Sequence, residues 1–393
     1  QPNDTTFGEK FTFEPDAGVL AVGQVQQLEV KFSSDALGEF AEQFFCTIAG
    51  SSDTLSLDFR GRVVGPTFTV DEEELDFGVV SYGFRYTKDV TIHNTSEIPM
   101  KFALRVPQDN QGAPEFECVP PSGSILPHGK QTVAVEFISK TVKRYEFELV
   151  VDVPGVGDAL ETIPILGECC VPKISIQPEV LDFGPCFLRH TYKKALVLTN
   201  DSKLPAKYEV IPQDEQSQGL AVYTSEPSAG AIPARGSTSV EFSLATERLG
   251  NINLPMSVRI VGSKGDPLKL TIAASSHGPI FNFGEEPGMP DPDWTPMLDF
   301  GKVPVLQEVQ KVLYVTNASL IPAEFKTFVS GKDSSFSVDV REAVLQPGEE
   351  IALTVTVMLD ETQRFKDVLN ILVLEGTDTA ITMEALGIGS TIP

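Results

Sequence analysis

Tryptophan occurs once in this 393-residue chain, and cations are scarce, with 30 Lys and Arg against 55 Asp and Glu. The resulting net charge of −25 argues against nucleic acid as a partner, because phosphates demand clustered Lys and Arg. It equally disfavours broad contact with anionic membranes. No apolar run reaches the roughly 18 residues of a membrane-crossing helix. Helical patterning is missing too, since no window keeps an i, i+3, i+4, i+7 apolar stripe over several turns.

Cysteine is sparse and oddly counted. Cys46, Cys118, Cys169, Cys170 and Cys186 form no C-x-x-C and no disulfide framework. An odd count with two adjacent thiols fits reduced cysteines in a cytosol-connected compartment. The four histidines, His93, His128, His190 and His277, never fall at a metal-ligand spacing. No G-x-S-x-G carries a nucleophile, and no Gly-rich loop opens a helix to cradle phosphate. Carboxylates abound, as in Asp71-Glu-Glu-Glu74, but any two could be paired on paper, so they single out no acid–base couple. The sequence predicts no catalytic, cofactor-binding or metal site.

What is present is a repeat. Leu-Asp-Phe-Gly occurs with Leu75, Phe77 and Gly78, with Leu181, Phe183 and Gly184, and with Leu298, Phe300 and Gly301. Sixteen residues beyond each Gly stands an Asn (Asn94, Asn200, Asn317), five further a Pro (Pro99, Pro205, Pro322), and three further an aromatic (Phe102, Tyr208, Phe325). A second block follows each time, as Pro121-Ser-Gly123 leading to Leu126-Pro-His-Gly129, and as Pro227-Ser-Ala-Gly230 leading to Ile232-Pro-Ala-Arg-Gly236. The third copy is eroded to Leu345-Gln-Pro-Gly348. Pro15, Gly18 and Leu20-Ala-Val-Gly23 show the same block with no Leu-Asp-Phe-Gly before it. The chain is therefore expected to open with the back half of a repeat, within a longer protein.

The boundaries that follow are 1–65 for the C-terminal part of a domain, then whole domains at 66–171, 172–280 and 281–393. Each whole unit has the size of an immunoglobulin-like sandwich. Strands alternate at period two between turn residues, which predicts an all-β fold of tandem antiparallel β-sandwich domains. Phe, present 25 times, suits half-buried strands. In Leu-Asp-Phe-Gly, Leu and Phe point inward and Asp outward, and the Gly permits a bend or bulge. The Asn ends a strand and caps its own turn, and the Pro suits a strand start. Folding accounts for all of these positions.

Three surface features remain. The repeated Asn creates sequons at Asn94, Asn200 and Asn317, with another at Asn3, yet recurrence at one turn position has a structural explanation. Lys140, Lys143 and Arg144 cluster, as do Arg189, Lys193 and Lys194; each group reads as solvated strand ends or as a local basic contact for a partner. An inserted loop at about 284–297 holds Trp294, which is either part of a stiff surface loop or the anchor of a partner-binding one.

This unit resembles the hydin-type (ASH) immunoglobulin-like domains, relatives of the major sperm protein fold found in proteins of cilia, flagella and centrosomes. The resemblance spans the whole chain. The run from Cys170-Val-Pro through Leu181-Asp-Phe-Gly-Pro-Cys-Phe-Leu-Arg-His190, and the ending Gly387-Ile-Gly-Ser-Thr-Ile392, lie closest to the hydin type. That resemblance implies a very large protein of the ciliary central apparatus, lying along a central-pair microtubule and holding projection proteins. Implied partners are other axonemal proteins, with tubulin contacted through basic patches, and neither nucleic acid nor membrane. Two other readings are an adaptor for short peptide motifs, whose groove should be basic, and an extracellular or luminal adhesion array, which would carry glycan on the repeated Asn.

Overall fold

Period-two alternation becomes strand throughout. The computed structural model describes residues 4–389, so Asn3 and residues 390–392 of the C-terminal motif lie outside the described residues. Among the described residues, helix is confined to the turns Gly8–Lys10 and Glu215–Gln218. The chain divides into two compact units between Val171 and Pro172.

In the first unit, a four-stranded sheet runs in the order Phe68–Val70, Arg85–Asn94, Lys130–Ile138, Phe116–Val119. A five-stranded sheet runs Ser122–Ile125, Met100–Arg105, Arg144–Val153, Gly157–Cys170, Leu75–Ser81. Inward side chains of both sheets meet in one core, with Ile92, Phe102, Val135, Phe137, Leu149 and Ile165 all essentially inaccessible. Each such buried side chain contributes about 1.5–3 kcal/mol, which is how a mostly polar sequence holds two sheets face to face.

The second unit contains two more such sandwiches with the same strand order, one from Ile174 to His277 and one from Phe281 to Ile388. In all three, the Leu-Asp-Phe-Gly strand pairs in parallel with the closing strand, while every other neighbour is antiparallel. The tandem antiparallel sandwich expected from the alternation is the fold of this chain.

Residues 4–63 form two two-stranded sheets, Phe11–Glu14 with Glu29–Phe32 and Gly38–Thr47 with Thr54–Val63. A phenylalanine cluster joins them, with Phe11 against Phe32, Phe44 and Phe59 at centroid distances of 4.5–5.0 Å. The other side of this half-sandwich is open. Val19 is 96% exposed, whereas Ile125 at the matching place in the next repeat is 3% exposed.

Candidate functional site

The repeated tetrapeptide builds a bulge. Gly78, Gly184 and Gly301 have φ of 63°, 69° and 65°, in the left-handed region where Gly alone is unstrained. At each one the parallel pairing slips register. The Asp two residues earlier accepts the Gly N–H, at 2.7 Å for Asp76 and 2.8 Å for Asp182 and Asp299. Its carboxylate does point outward, and it also satisfies the amide that the bulge frees. Leu75, Leu181 and Leu298 are buried, and Phe183 and Phe300 join them, with Phe77 packed at the core edge.

The asparagines do more than end a strand. All three are buried, at 0–2% exposure. Asn94 Oδ1 accepts from the Ser96 N–H and hydroxyl, which closes the local turn. Its Nδ2 donates to Ile98 O at 2.7 Å and, across the sandwich, to Ile125 O at 3.2 Å and Leu126 O at 3.1 Å. Asn200 reaches Leu204 O and Pro233 O, and Asn317 reaches Ile321 O and Leu345 O. The amide nitrogen that a glycan would occupy is thus enclosed and bonded in each repeat. Pro99, Pro205 and Pro322 immediately precede a strand, and Phe102, Tyr208 and Phe325 fall into the core at 1% exposure.

Each basic candidate has an oxygen partner within the chain. Lys193 Nζ is 2.7 Å from Glu241, Arg144 Nε is 3.3 Å from Glu146, and Lys194 donates to the Asp182 carbonyl. Lys140 Nζ donates to Pro114 O at 2.7 Å. Lys143 lies 3.6 Å from Glu115 and over the Tyr145 ring, 4.6 Å from its centroid. Arg189 makes a bidentate pair with Glu375 at 2.8 and 3.0 Å, linking the two sandwiches of the second unit.

Glu115 escaped sequence reasoning. It is buried, and its Oε1 accepts from the Tyr145 hydroxyl and the Lys140 N–H, both at 2.6 Å. Burial, then the bond to Glu115, pushes the Tyr145 hydroxyl far above the ordinary tyrosine range. Its acid-next-to-Pro context gave no signal, because the partners arrive from a different strand.

Trp294 packs inward. Its ring stacks on Phe283 with centroids 5.1 Å apart and lies against the third sandwich's core. The inserted loop is therefore pinned to the domain by the residue that could have reached out from it. The histidines pair locally, His93 with Asp71 at 2.9 Å and His128 with Glu97 at 3.0 Å. Among the described residues no three His, Cys, Asp or Glu converge as a metal site. Cys118 is pushed up to about 11 by burial, and burial also raises Cys169 and Cys186. A surface groove of about 450 Å³ lies beside the short edge strand Phe336–Val338, lined by Leu306, Ser335, Phe336, Met358 and Asp360 among others.

Serial immunoglobulin-like sandwiches whose repeated residues are spent on bulges, pins and cores define a tandem immunoglobulin-like repeat protein. The HYDIN/CFA65/VesB-like Ig-like domain model matches residues 2–62, 66–167, 172–275 and 293–386, and the chain belongs to that family. The mouse hydrocephalus-inducing protein is 32% identical over 418 residues, covering 100% of this chain and 8% of that protein. The human cilia- and flagella-associated protein 65 is 23% identical over 242 residues, covering 58% of this chain and 12% of its own length. Among solved structures, the ASH/PapD-like domain of human CEP192 aligns with 17% identity and a TM-score of 0.23, covering 28% of this chain and 94% of that one. The chain thus spans a small fraction of the curated relatives it matches.

Proposed function

We propose that this chain is a non-catalytic structural segment of the ciliary or flagellar axoneme. Its place there is the central apparatus, where serial sandwich surfaces hold central-pair microtubule and projection proteins. The observation that carries this reading is the run of family domains along almost the whole chain, shared with relatives named for cilia and flagella. The side chains that recur between repeats bond to the repeat itself, so what the chain offers outward is sheet faces, edges and grooves.

Edge strands such as Phe116–Val119, Ala221–Glu226 and Phe336–Val338 each leave one side of their backbone available for a partner strand. With Lys193 and Arg189 paired to carboxylates and a net charge of −25, the chain meets other axonemal proteins more readily than acidic tubulin. The test is fractionation of ciliated cells carrying a tag on the endogenous protein. Retention in detergent-extracted axonemes, lost in mutants without the central pair, supports the proposal. Release with the membrane fraction, or a mobility shift with glycosidase, overturns it.

A further inference from the structure

Two turn positions recur in every complete sandwich, and both take left-handed backbone. The first follows the Leu-Asp-Phe-Gly strand and is Gly83, Arg189 or Leu306, with φ of 73°, 57° and 61°. Its N–H reaches the same place each time, the carbonyls of Ser139, Thr246 and Leu359. The second lies in the hairpin before the closing strand and is Gly155, Gly262 or Glu375, with φ of 85°, 85° and 57°. L side chains pay a steric cost in this region, so a non-glycine there calls for a compensating role.

Arg189 and Glu375 are both such non-glycines, and they are bonded to each other. The guanidinium of the first position in one sandwich grips the carboxylate of the second position in the next, at 2.8 and 3.0 Å, with Glu247 3.6 Å away on the other flank. Beneath the pair, the linker residue Gly278 is seated so closely on the hairpin that a Cβ would lie 1.6 Å from the Glu375 carbonyl oxygen. The earlier linker has the same seat, with a Cβ on Gly65 falling 2.8 Å from the Val156 side chain. There, however, the hairpin position is Gly155, which has no side chain to grip with.

We propose that Arg189 and Glu375 clamp the 172–280 and 281–393 sandwiches at one fixed angle, and that the residue at these two turn positions decides which joints of the array are locked. The seat is steric and recurs at the Gly65 and Gly278 linkers, while the lock is specific and ionic. A Gly at either position leaves a joint seated but free to flex. Because the pair is about half exposed, the lock weakens as salt screens it.

Dipolar spectroscopy on the full chain tests this, with noncanonical spin labels at the exposed Lys264 and Asp333, one on each sandwich. The unsubstituted chain gives one narrow distance distribution at low salt. Arg189→Ala and Glu375→Ala each broaden it, raising the population of open conformers roughly two- to five-fold, the range an exposed ion pair commands. The double variant broadens it no further, and Lys193→Ala, which breaks a pair within one sandwich, leaves it narrow. Distributions as narrow in Glu375→Ala as in the unsubstituted chain, or additive broadening in the double variant, would overturn the clamp.

Discussion

The side-chain amide of Asn94 donates to the carbonyl of Leu126, thirty-two residues further along the chain, at 3.1 Å. One side chain thereby closes its own turn and ties the end of the Arg85–Asn94 strand to the loop that leads into its partner Lys130–Ile138. Replacing Asn94 with Ala removes these bonds and leaves buried carbonyls unpaired, each costing about 1–3 kcal/mol, so a total loss of about 3 kcal/mol is expected. Urea unfolding of the chain checks this, with the first complete sandwich melting earlier. Asn94→Asp should fare nearly as badly, because a carboxylate cannot donate.

Trp294 is the only indole in the chain, so its fluorescence reports the third sandwich alone. Its emission should be blue-shifted in the native state and should move red in a single transition. Trp294→Ala forfeits the stacking on Phe283 and some core contact, at a cost of about 2 kcal/mol to that sandwich. Trp294→Phe should recover most of it, since the Trp294 Nε1 makes no hydrogen bond among the described residues. A full-chain melt followed by calorimetry separates this from any effect on the other domains.

Alkaline pH should weaken the first complete sandwich. The Tyr145 hydroxyl is held protonated in the fold by burial and by its bond to Glu115, so its pKa is raised above the unfolded value near 10. The corresponding stability is complete below pH 10 and is lost as pH rises from there towards the folded value. Tyr145→Phe should flatten that limb of the stability profile while lowering stability at neutral pH, where Glu115 loses a donor. Circular dichroism melts between pH 8 and 11.5 would show either behaviour.

Thiol chemistry should follow burial. With Cys118 pushed up to about 11, only about 0.1% of it is thiolate at pH 8, and Cys169 and Cys186 are likewise raised. Cys46 is exposed and should be alkylated first by iodoacetamide. Peptide mapping after brief labelling checks this, and Cys118, Cys169 and Cys186 should label only when denaturant is added.

Much of the fold was legible because its grammar is local. Alternation in Val90-Thr-Ile-His-Asn94, the Pro at strand starts and the Gly of each bulge all act within a few residues. The outward direction of Asp76 is legible in the alternation, but its bond to the Gly78 N–H depends on a backbone angle that only the bulge creates. The local turn at Asn94 was visible, while its amide bonds to Ile125 and Leu126 were not, because sandwich closure alone brings those carbonyls near. Basic clusters misrepresent surface charge for the same reason. Lys193 meets Glu241 from a paired strand, and Arg189 meets Glu375 from the next domain, 186 residues away. The sequence placed Trp294 in a loop; the stacking partner Phe283, just before that loop, settles which way it faces.

The parallel pairing of the Leu-Asp-Phe-Gly strand with the closing strand also governs how each repeat carries tension. In the first complete sandwich Leu75 lies beside Ile165 and Ser81 beside Cys170, so pulling on the two ends slides these strands past each other lengthwise. Once the short strand Phe68–Val70 has peeled from its neighbour, the load falls on all the hydrogen bonds of that ladder together, and none can open ahead of the rest. A chain of such units resists stretch by shear, and the same ladder recurs in the next two sandwiches.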